Sequence, residues 1–382
     1  MPEDAPARGL YVHVPFCARA CPYCDFDFQV GRAPDVPAYL AALQREADAR
    51  ADAREGQRFG TIYVGGGTPS LLGPAGVVAL LGWIARRFPG SGALEVTVEV
   101  NPEHASEALL DALVAAGATR ISVGLQTFDP AGLRELGRVH RPEDAEAAIA
   151  GARARGLEVS ADLIVGWRGQ GEGSLRADIA RLLSAGARHA SIYALTIEER
   201  SSWPRLVRRG LRVLPDVGHQ ADMLAIAEAA LTEGGLAHYE VASYAAAGAE
   251  ARHNMLYWTW RDYVGLGPSA HSATFAADGS VARRGNPRGL GRWSAGDAPE
   301  VESLDPREAA VEGLWVGLRR LTGVRVADYL SRFPAVDRAF LERRCARQLA
   351  RGNLEWADQG HVLQVAPGRW LWHDEIGVDL LG

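Results

Sequence analysis

The sequence predicts an α/β protein, a partial (β/α)6 barrel followed by a small C-terminal α+β domain. Three observations predict it. Short β-like runs alternate with longer Ala/Leu/Arg stretches of helical period, the pattern of βα units wrapped around a parallel sheet. Several runs end in glycine-rich or polar loops, and in a parallel barrel the loops after the strands build the active face. Near the C-terminus the order changes to helical stretches and then to alternating residues with turn signals.

Six β-like runs can be placed: Leu10 to Val14, Thr61 to Val64, Leu94 to Val100, Arg120 to Val123, Leu157 to Val165 and Ala190 to Ala194. Helix-like stretches such as Val36 to Ala53 and Ser106 to Ala116 lie between them, and most spacings suit a strand, a loop and a crossover helix. Beyond Leu195 the alternation weakens. Asp216 to Glu233 reads as a helix, Glu240 to Gly267 as an irregular aromatic-rich stretch, and the Gly/Pro/Arg-rich segment Asp278 to Pro299 as a connector. Helices at Pro306 to Leu321 and Val336 to Arg351, then a hairpin within Leu354 to Trp372, make the last part winged-helix-like. The chain thus divides into a barrel over 1–235, an extension and connector over 236–300, and the C-terminal domain over 301–382.

Composition removes several functions. The 382 residues contain no lysine; all 41 basic residues are arginine, against 47 acidic ones, for a net charge of −6. Schiff-base, pyridoxal-phosphate and phosphate-loop chemistries, which need lysine, are excluded. The mild acidity argues against nucleic acid as a partner. The polar start, Met1 to Gly9, has no signal-peptide character, and no later run reaches about 18 uninterrupted apolar residues. These features predict a soluble, cytoplasmic protein.

Three of the four cysteines, Cys17, Cys21 and Cys24, have the spacing C-x3-C-x2-C directly after the first strand. Such crowding suits a metal or cluster site in a reducing compartment better than a disulfide framework. Three thiolates on one tight loop can bind three irons of a [4Fe-4S] cube, leaving the fourth iron open. Structural zinc, with His13 as a fourth ligand, is the alternative. Pro22, Tyr23 and Phe26 add apolar bulk around the loop, and Cys345 reads as a small buried side chain.

Tyr11-Val12-His13-Val14-Pro15-Phe16-Cys17 with Cys21-Pro22-Tyr23-Cys24 resembles the radical S-adenosylmethionine (SAM) family, in the branch containing oxygen-independent coproporphyrinogen III oxidases and haem chaperones. The resemblance continues through Gly65-Gly66-Gly67-Thr68-Pro69, Glu99-Val100-Asn101-Pro102, Gly124-Leu125-Gln126-Thr127-Phe128 and His253-Asn254-Met255-Leu256-Tyr257-Trp258, covering nearly the whole chain. It implies a TIM-like radical SAM barrel with a [4Fe-4S] cluster. The oxidases carry a further cysteine two residues after the third, where this chain has Phe26, so the chaperone side of the branch fits better. That side implies haem as cargo, acceptor haemoproteins such as respiratory cytochromes, an electron donor, and peripheral membrane association through partners. The alternative is an oxidase-type enzyme of porphyrin biosynthesis, in which SAM cleavage gives a 5′-deoxyadenosyl radical.

By the same resemblance, SAM contacts fall to Gly66, Gly67 and Thr68 of the glycine loop, to Glu99, Gln126, Arg138 and Asp162, and to Tyr11 and Tyr23. On their own these residues read otherwise: the glycines as a turn, Glu99 as a solvated strand-end charge, Arg138 as a surface charge on an arginine-rich helix, the tyrosines as core. His253 is the leading haem ligand, beside Tyr257, Trp258 and Trp260, with His271 second. One departure is notable: the family commonly has Gly-Leu-Pro-Gly-Gln after the Asp162 strand, and here the loop is Gly166-Trp167-Arg168-Gly169-Gln170.

Overall fold

A computed structural model of the chain describes residues 8–31, 33–92 and 95–382. All six expected strands are present: β1 (Gly9–Val14), β2 (Thr61–Gly66), β3 (Glu95–Val100), β4 (Arg120–Gln126), β5 (Glu158–Val165) and β6 (His189–Ala194). Leu94, where the third run was expected to begin, lies outside the described residues. The six strands pair in parallel and in sequence order.

Helices cover the outside, each started by a local signal. Asp35 accepts a hydrogen bond from the Ala38 amide (3.0 Å) and Pro37 occupies the first turn of α1 (Val36–Asp48). In α2 (Gly73–Arg87), Val77, Leu80, Leu81, Trp83 and Ile84 are buried at helical spacing. Pro69–Arg87 is by length and composition apolar enough to cross a membrane, though half of it is buried in this fold. Ser106 caps α3 (Glu107–Ala115), and α4 (Pro142–Ala154) and α5 (Glu172–Ser184) follow β4 and β5. Asp216 caps α6 (Val217–Glu233) through the His219 amide (2.7 Å).

Both ends of the sheet continue where the sequence suggested irregular structure. Beside β6 lie β7 (Ala237–Glu240) and β8 (Ser243–Ala245), antiparallel. On the other side a seventh parallel strand, β9 (Tyr263–Leu266), pairs with β1, followed by antiparallel β10 (His271–Phe275), β11 (Val281–Gly285) and β12 (Glu300–Leu304). The stretch expected to be a connector, Asp278 to Pro299, therefore contains strand β11 and a short helix, Leu290–Ser294. Turn-rich composition hid them, because their order comes from distant partners.

Those partners centre on α1. Glu46 accepts hydrogen bonds from the Gly267 amide (2.9 Å), the Trp293 indole (2.9 Å) and the Asn286 amide group (2.6 Å). Arg50, 4% exposed, pairs with Glu46 (3.1 Å) and Asp52 (2.6 Å), and donates to the Gly265 carbonyl (2.7 Å) and Ser272 (2.9 Å). One buried charge cluster thus fastens the β9–β11 flank onto the first barrel helix.

The C-terminal part has the expected winged-helix order. Helices Pro306–Gly317, Val326–Arg332 and Arg338–Ala350 surround a three-stranded sheet of Val324–Arg325, Val362–Val365 and Leu354–Ala357. It has its own core around Leu314, Tyr329, Phe333 and Leu341, in which Cys345 is fully buried.

Arg50→Ala should leave Glu46 and Asp52 as uncompensated buried or half-buried charges and cost about 3–5 kcal/mol. Urea unfolding measures the loss, and amide exchange should speed up selectively within residues 265–293. An unchanged midpoint with unchanged exchange would show that the flank is held by other contacts.

Candidate functional site

The cysteine loop leaves β1 and is stapled at its base. Phe16–Cys17 pairs in parallel with Gln29–Val30, and the Gly31 amide donates to the Cys17 carbonyl (2.9 Å). Cys17, Cys21 and Cys24 are free, partly buried thiols, and all three line a cavity of about 470 Å³ whose walls are the barrel strands and the loops at their carboxyl ends. Burial pushes the Cys17 thiol up and that of Cys24 up to about 12. Positive charge sits beside them, since the Arg138 Nη1 lies 3.6 Å from the Cys21 sulfur.

This donor set suits a cluster. His13, the fourth zinc ligand considered, is committed elsewhere: Nδ1 lies 3.0 Å from the Tyr11 hydroxyl and Nε2 lies 2.7 Å from the Asp27 carbonyl oxygen. Three soft thiols facing one cavity, each free to take a different iron, match a [4Fe-4S] cube.

The glycine loop does more than turn. Gly66 has φ +107°, and a Cβ there would meet the His13 ring at 2.5 Å; one on Gly67 would meet the carbonyl oxygens of Val14 and Phe16 at 2.8 Å. The Gly67 amide donates to Val14 O (2.8 Å), and the Thr68 hydroxyl lies 3.4 Å from the Cys17 sulfur. Glu99 is half-buried on the cavity wall rather than a solvated strand-end charge. It accepts from the Tyr63 hydroxyl (2.8 Å) and the Gly66 amide (3.0 Å), and burial raises its carboxyl to about 7. Asp162, taking a hydrogen bond from Ser122 (3.0 Å), is raised by burial to about 6.

Arg138 is half-buried, just after the short helix Pro130–Glu135 and not on a helix surface. Its Nη2 donates to Asn101 (3.0 Å) and the Gly124 carbonyl (2.9 Å). Its Nε has no partner among the described residues, and neither do Arg120 Nη2 and Thr97 Oγ1; all three residues line the cavity. Buried polar atoms without partners mark a chamber whose hydrogen bonds a polar ligand or water would complete. Gln126 lines it from a left-handed backbone, φ 68°, unusual for a residue with a side chain. Tyr23, Gly66, Gly67 and Thr68 complete the expected set on the wall.

Two expected site residues are not brought there. Tyr11 is absent from the cavity wall; it stacks near Tyr63 (6.1 Å between centroids) and contacts His13. His253 lies under the amino-terminal ends of β1 and β2, where a Cβ on Gly9 would meet its ring at 2.9 Å. Its Nδ1 is 2.8 Å from the Thr61 hydroxyl and its Nε2 is 2.8 Å from the Tyr257 hydroxyl, and burial lowers its pKa to about 3. With both nitrogens engaged in a sealed site, it plugs the barrel floor and offers iron no lone pair. His271 is exposed on β10, away from the cavity wall.

The sequence reading missed Arg120 and Asn254, both on the cavity wall. It also missed an inward polar layer, in which Ser122 pairs with Ser160, Ser160 with His189, and Asp162 with Ser191. The signal was there: β4, β5 and β6 carry polar residues at alternate positions, where a packed barrel interior would be apolar. The departing loop is now explained. Trp167, 1% exposed, packs in an apolar cluster with Trp203, Leu195 and Tyr23 and lies outside the cavity.

Residues 11–182 match the family model of the radical SAM superfamily. Over 269 residues the chain is 39% identical to the heme chaperone HemW of Mycobacterium tuberculosis, covering 69% of this chain and 68% of that protein. With HemW of Escherichia coli it shares 34% over 310 residues, 78% of this chain and 80% of the relative. A solved structure, the coproporphyrinogen III oxidase HemN of Escherichia coli, superposes with a TM-score of 0.82 over 98% of this chain and 89% of its own, at 21% identity, a likeness of fold. Barrel, cysteine loop and relatives agree: the chain belongs to the HemW family of the radical SAM superfamily.

Proposed function

We propose that this protein is a haem chaperone that carries a [4Fe-4S] cluster and SAM at the barrel mouth and passes haem to acceptor haemoproteins such as respiratory cytochromes. The observation that carries the cofactor part is the convergence of Cys17, Cys21 and Cys24 on one cavity whose wall also carries Arg138, Glu99 and Asp162. The haem part is supported by the relatives, which are named heme chaperones, and by Phe26 where the oxidases have a further cysteine.

Cys17, Cys21 and Cys24 would hold three irons of the cluster, and Gly66, Gly67 and Thr68 of the glycine loop would help hold SAM. Bound there, the pair supplies one-electron cleavage of a carbon–sulfur bond. The chain's own residues have separate tasks. Arg138 offsets thiolate charge near Cys21. Glu99 fixes the Gly66 turn and sets a carboxylate in the chamber for a cationic ligand, while the barrel wall excludes water. A cytoplasmic location, an electron donor, peripheral membrane association through partners and no nucleic-acid partner belong to the same proposal. A second reading, an oxidase-type radical SAM enzyme, is favoured by the polar chamber beneath the thiols, which has room for a small substrate.

Anaerobic reconstitution should load about four irons and four sulfides per chain, and Cys21→Ala should lose both while keeping the far-ultraviolet spectrum. Retention of one metal without sulfide would establish zinc instead. Haem titration should give a saturable absorption band; its absence, together with oxidative decarboxylation of coproporphyrinogen, would replace the chaperone with the enzyme.

SAM affinity should depend on pH. The Glu99 carboxyl is neutral below about 7 and ionises above it, so attraction for a sulfonium or ammonium ligand strengthens as pH rises from 6 to 8. Calorimetric titration across that range should show this rise, and Glu99→Gln should flatten it. In the ligand-free chain the same raised pKa means that ionisation is unfavourable in the fold. Stability is therefore full below the ordinary carboxylate range and declines as pH rises through about 7, by on the order of 3 kcal/mol at most.

A further inference from the structure

The proposed cargo needs a place to bind, and two obvious ones are unsuitable. The barrel chamber is lined by Thr97, Ser122, Ser160, Asp162 and Asn254, polar groups that a flat apolar macrocycle would desolvate without replacing their hydrogen bonds. His253 has no free nitrogen.

A third place lies on the cavity rim. Between β6 and α6 the chain runs Arg200-Ser-Ser-Trp-Pro-Arg-Leu-Val-Arg-Arg-Gly-Leu-Arg-Val-Leu-Pro-Asp-Val-Gly-His219. This segment holds five arginines against one aspartate, in a chain of net charge −6. Within seven residues it exposes Leu211 (57%), Val213 (46%), Leu214 (64%) and Val217 (78%). Arg200, Arg205, Arg208 and Arg209 are exposed, and none forms an ion pair with a described residue. Side by side, exposed aliphatics and unpaired cations mark a binding surface rather than ordinary protein exterior.

The segment is anchored, and it is anchored at the cysteine loop. The Trp203 amide donates to the Pro22 carbonyl (2.9 Å), and the Trp203 indole donates to Val213 O (2.9 Å). Arg212 lies 3.6 Å from Glu135 and over the Trp203 ring. At the far end Gln220 packs on Gly166 at the top of β5 and donates to the Leu195 carbonyl (2.7 Å), and Leu195 lines the cavity. His219 is partly exposed two residues beyond Val217, and its ring has no hydrogen-bond partner among the described residues.

We infer that residues 200–219 form the haem-docking surface, with Leu211, Val213, Leu214 and Val217 against the macrocycle, the arginines on its two propionates, and His219 as iron ligand. The inference rests on the haem-cargo reading above. The chemistry is complementary in three independent respects: apolar area, two carboxylates for guanidinium groups, and an imidazole for the iron. An anionic membrane would use the first two and leave the histidine without a role. The placement also puts the cargo beside the loop that carries Cys21 and Cys24, so that cluster and cargo share the anchor at Pro22.

The test is haem titration of the full chain, with its cluster reconstituted, followed by absorption, for the native sequence and for His219→Ala, Leu214→Glu/Val217→Glu and Arg208→Gln/Arg209→Gln. These side chains are exposed or half-exposed, so the variants should keep the iron and sulfide content that reports an intact cysteine loop. His219→Ala should shift the main haem band and weaken binding. The arginine pair should lose about tenfold in affinity, the size of one charge-assisted hydrogen bond. Unchanged band and affinity in all three variants, with the native chain binding saturably, would overturn the assignment and leave the chaperone reading standing. No saturable binding by the native chain removes both. If the leucine–valine variant binds haem normally but no longer sediments with phosphatidylglycerol vesicles, the surface belongs to a membrane and the assignment falls.

Discussion

The close approach of the glycine turn after β2 to the end of β1 is the constraint on which the site depends. Gly66 and Gly67 leave no room for a Cβ against His13 and the Val14 and Phe16 carbonyls. Because the turn lies so close, the Gly67 amide reaches Val14 O, Thr68 reaches the Cys17 sulfur, and the Gly66 amide reaches Glu99. The start of the cysteine loop, the turn and the third strand are thereby registered on one another. Every other site residue is placed relative to that junction.

Two further devices support it from opposite sides. Behind β1, the Glu46–Arg50–Asp52 cluster gathers α1 and the β9–β11 flank, and His13 and Asp27 tie the cysteine loop to the same region through Ser269 and Gly289. On the far rim, Trp167, Trp203 and Tyr23 form a small apolar cluster, and the Trp203 amide holds Pro22. The loop that departs from the family pattern at Trp167-Arg168 is thus a packing substitution. Trp167 fills the space over Gly132, where a Cβ would meet its ring at 2.6 Å, and the cavity wall is left to other residues.

The fold was largely legible because parallel strands and crossover helices each leave a periodic trace. What was not legible lay in residues 237–304, where the strands are three to five residues long and the connections turn-rich. Their order is imposed by pairing onto the two barrel edges, β6 on one side and β1 on the other, and on the β1 side by hydrogen bonds to Glu46, all distant in sequence. In the site, the glycine loop, Glu99, Arg138 and Asp162 were legible as motif positions, whereas burial, which raises Glu99 and Asp162 and partly shields Arg138 from solvent, follows from packing. His253 shows the reverse case: the histidine of a specific local motif is held in the barrel floor by the tertiary structure, while its neighbour Asn254 lines the cavity.

The sequence by itself determined where the thiols gather, because C-x3-C-x2-C places three of them on one loop whatever surrounds them, and the absence of lysine removes whole classes of catalysis. It also determined six of the seven parallel strands and the order of the C-terminal helices and hairpin. Only the tertiary structure decided which polar residues face the chamber, which histidines keep a free nitrogen, and that five arginines and four exposed aliphatics between Arg200 and Val217 lie on the rim beside the cysteine loop. Those are matters of depth and proximity between segments far apart in the chain, and periodicity along one segment carries no record of them.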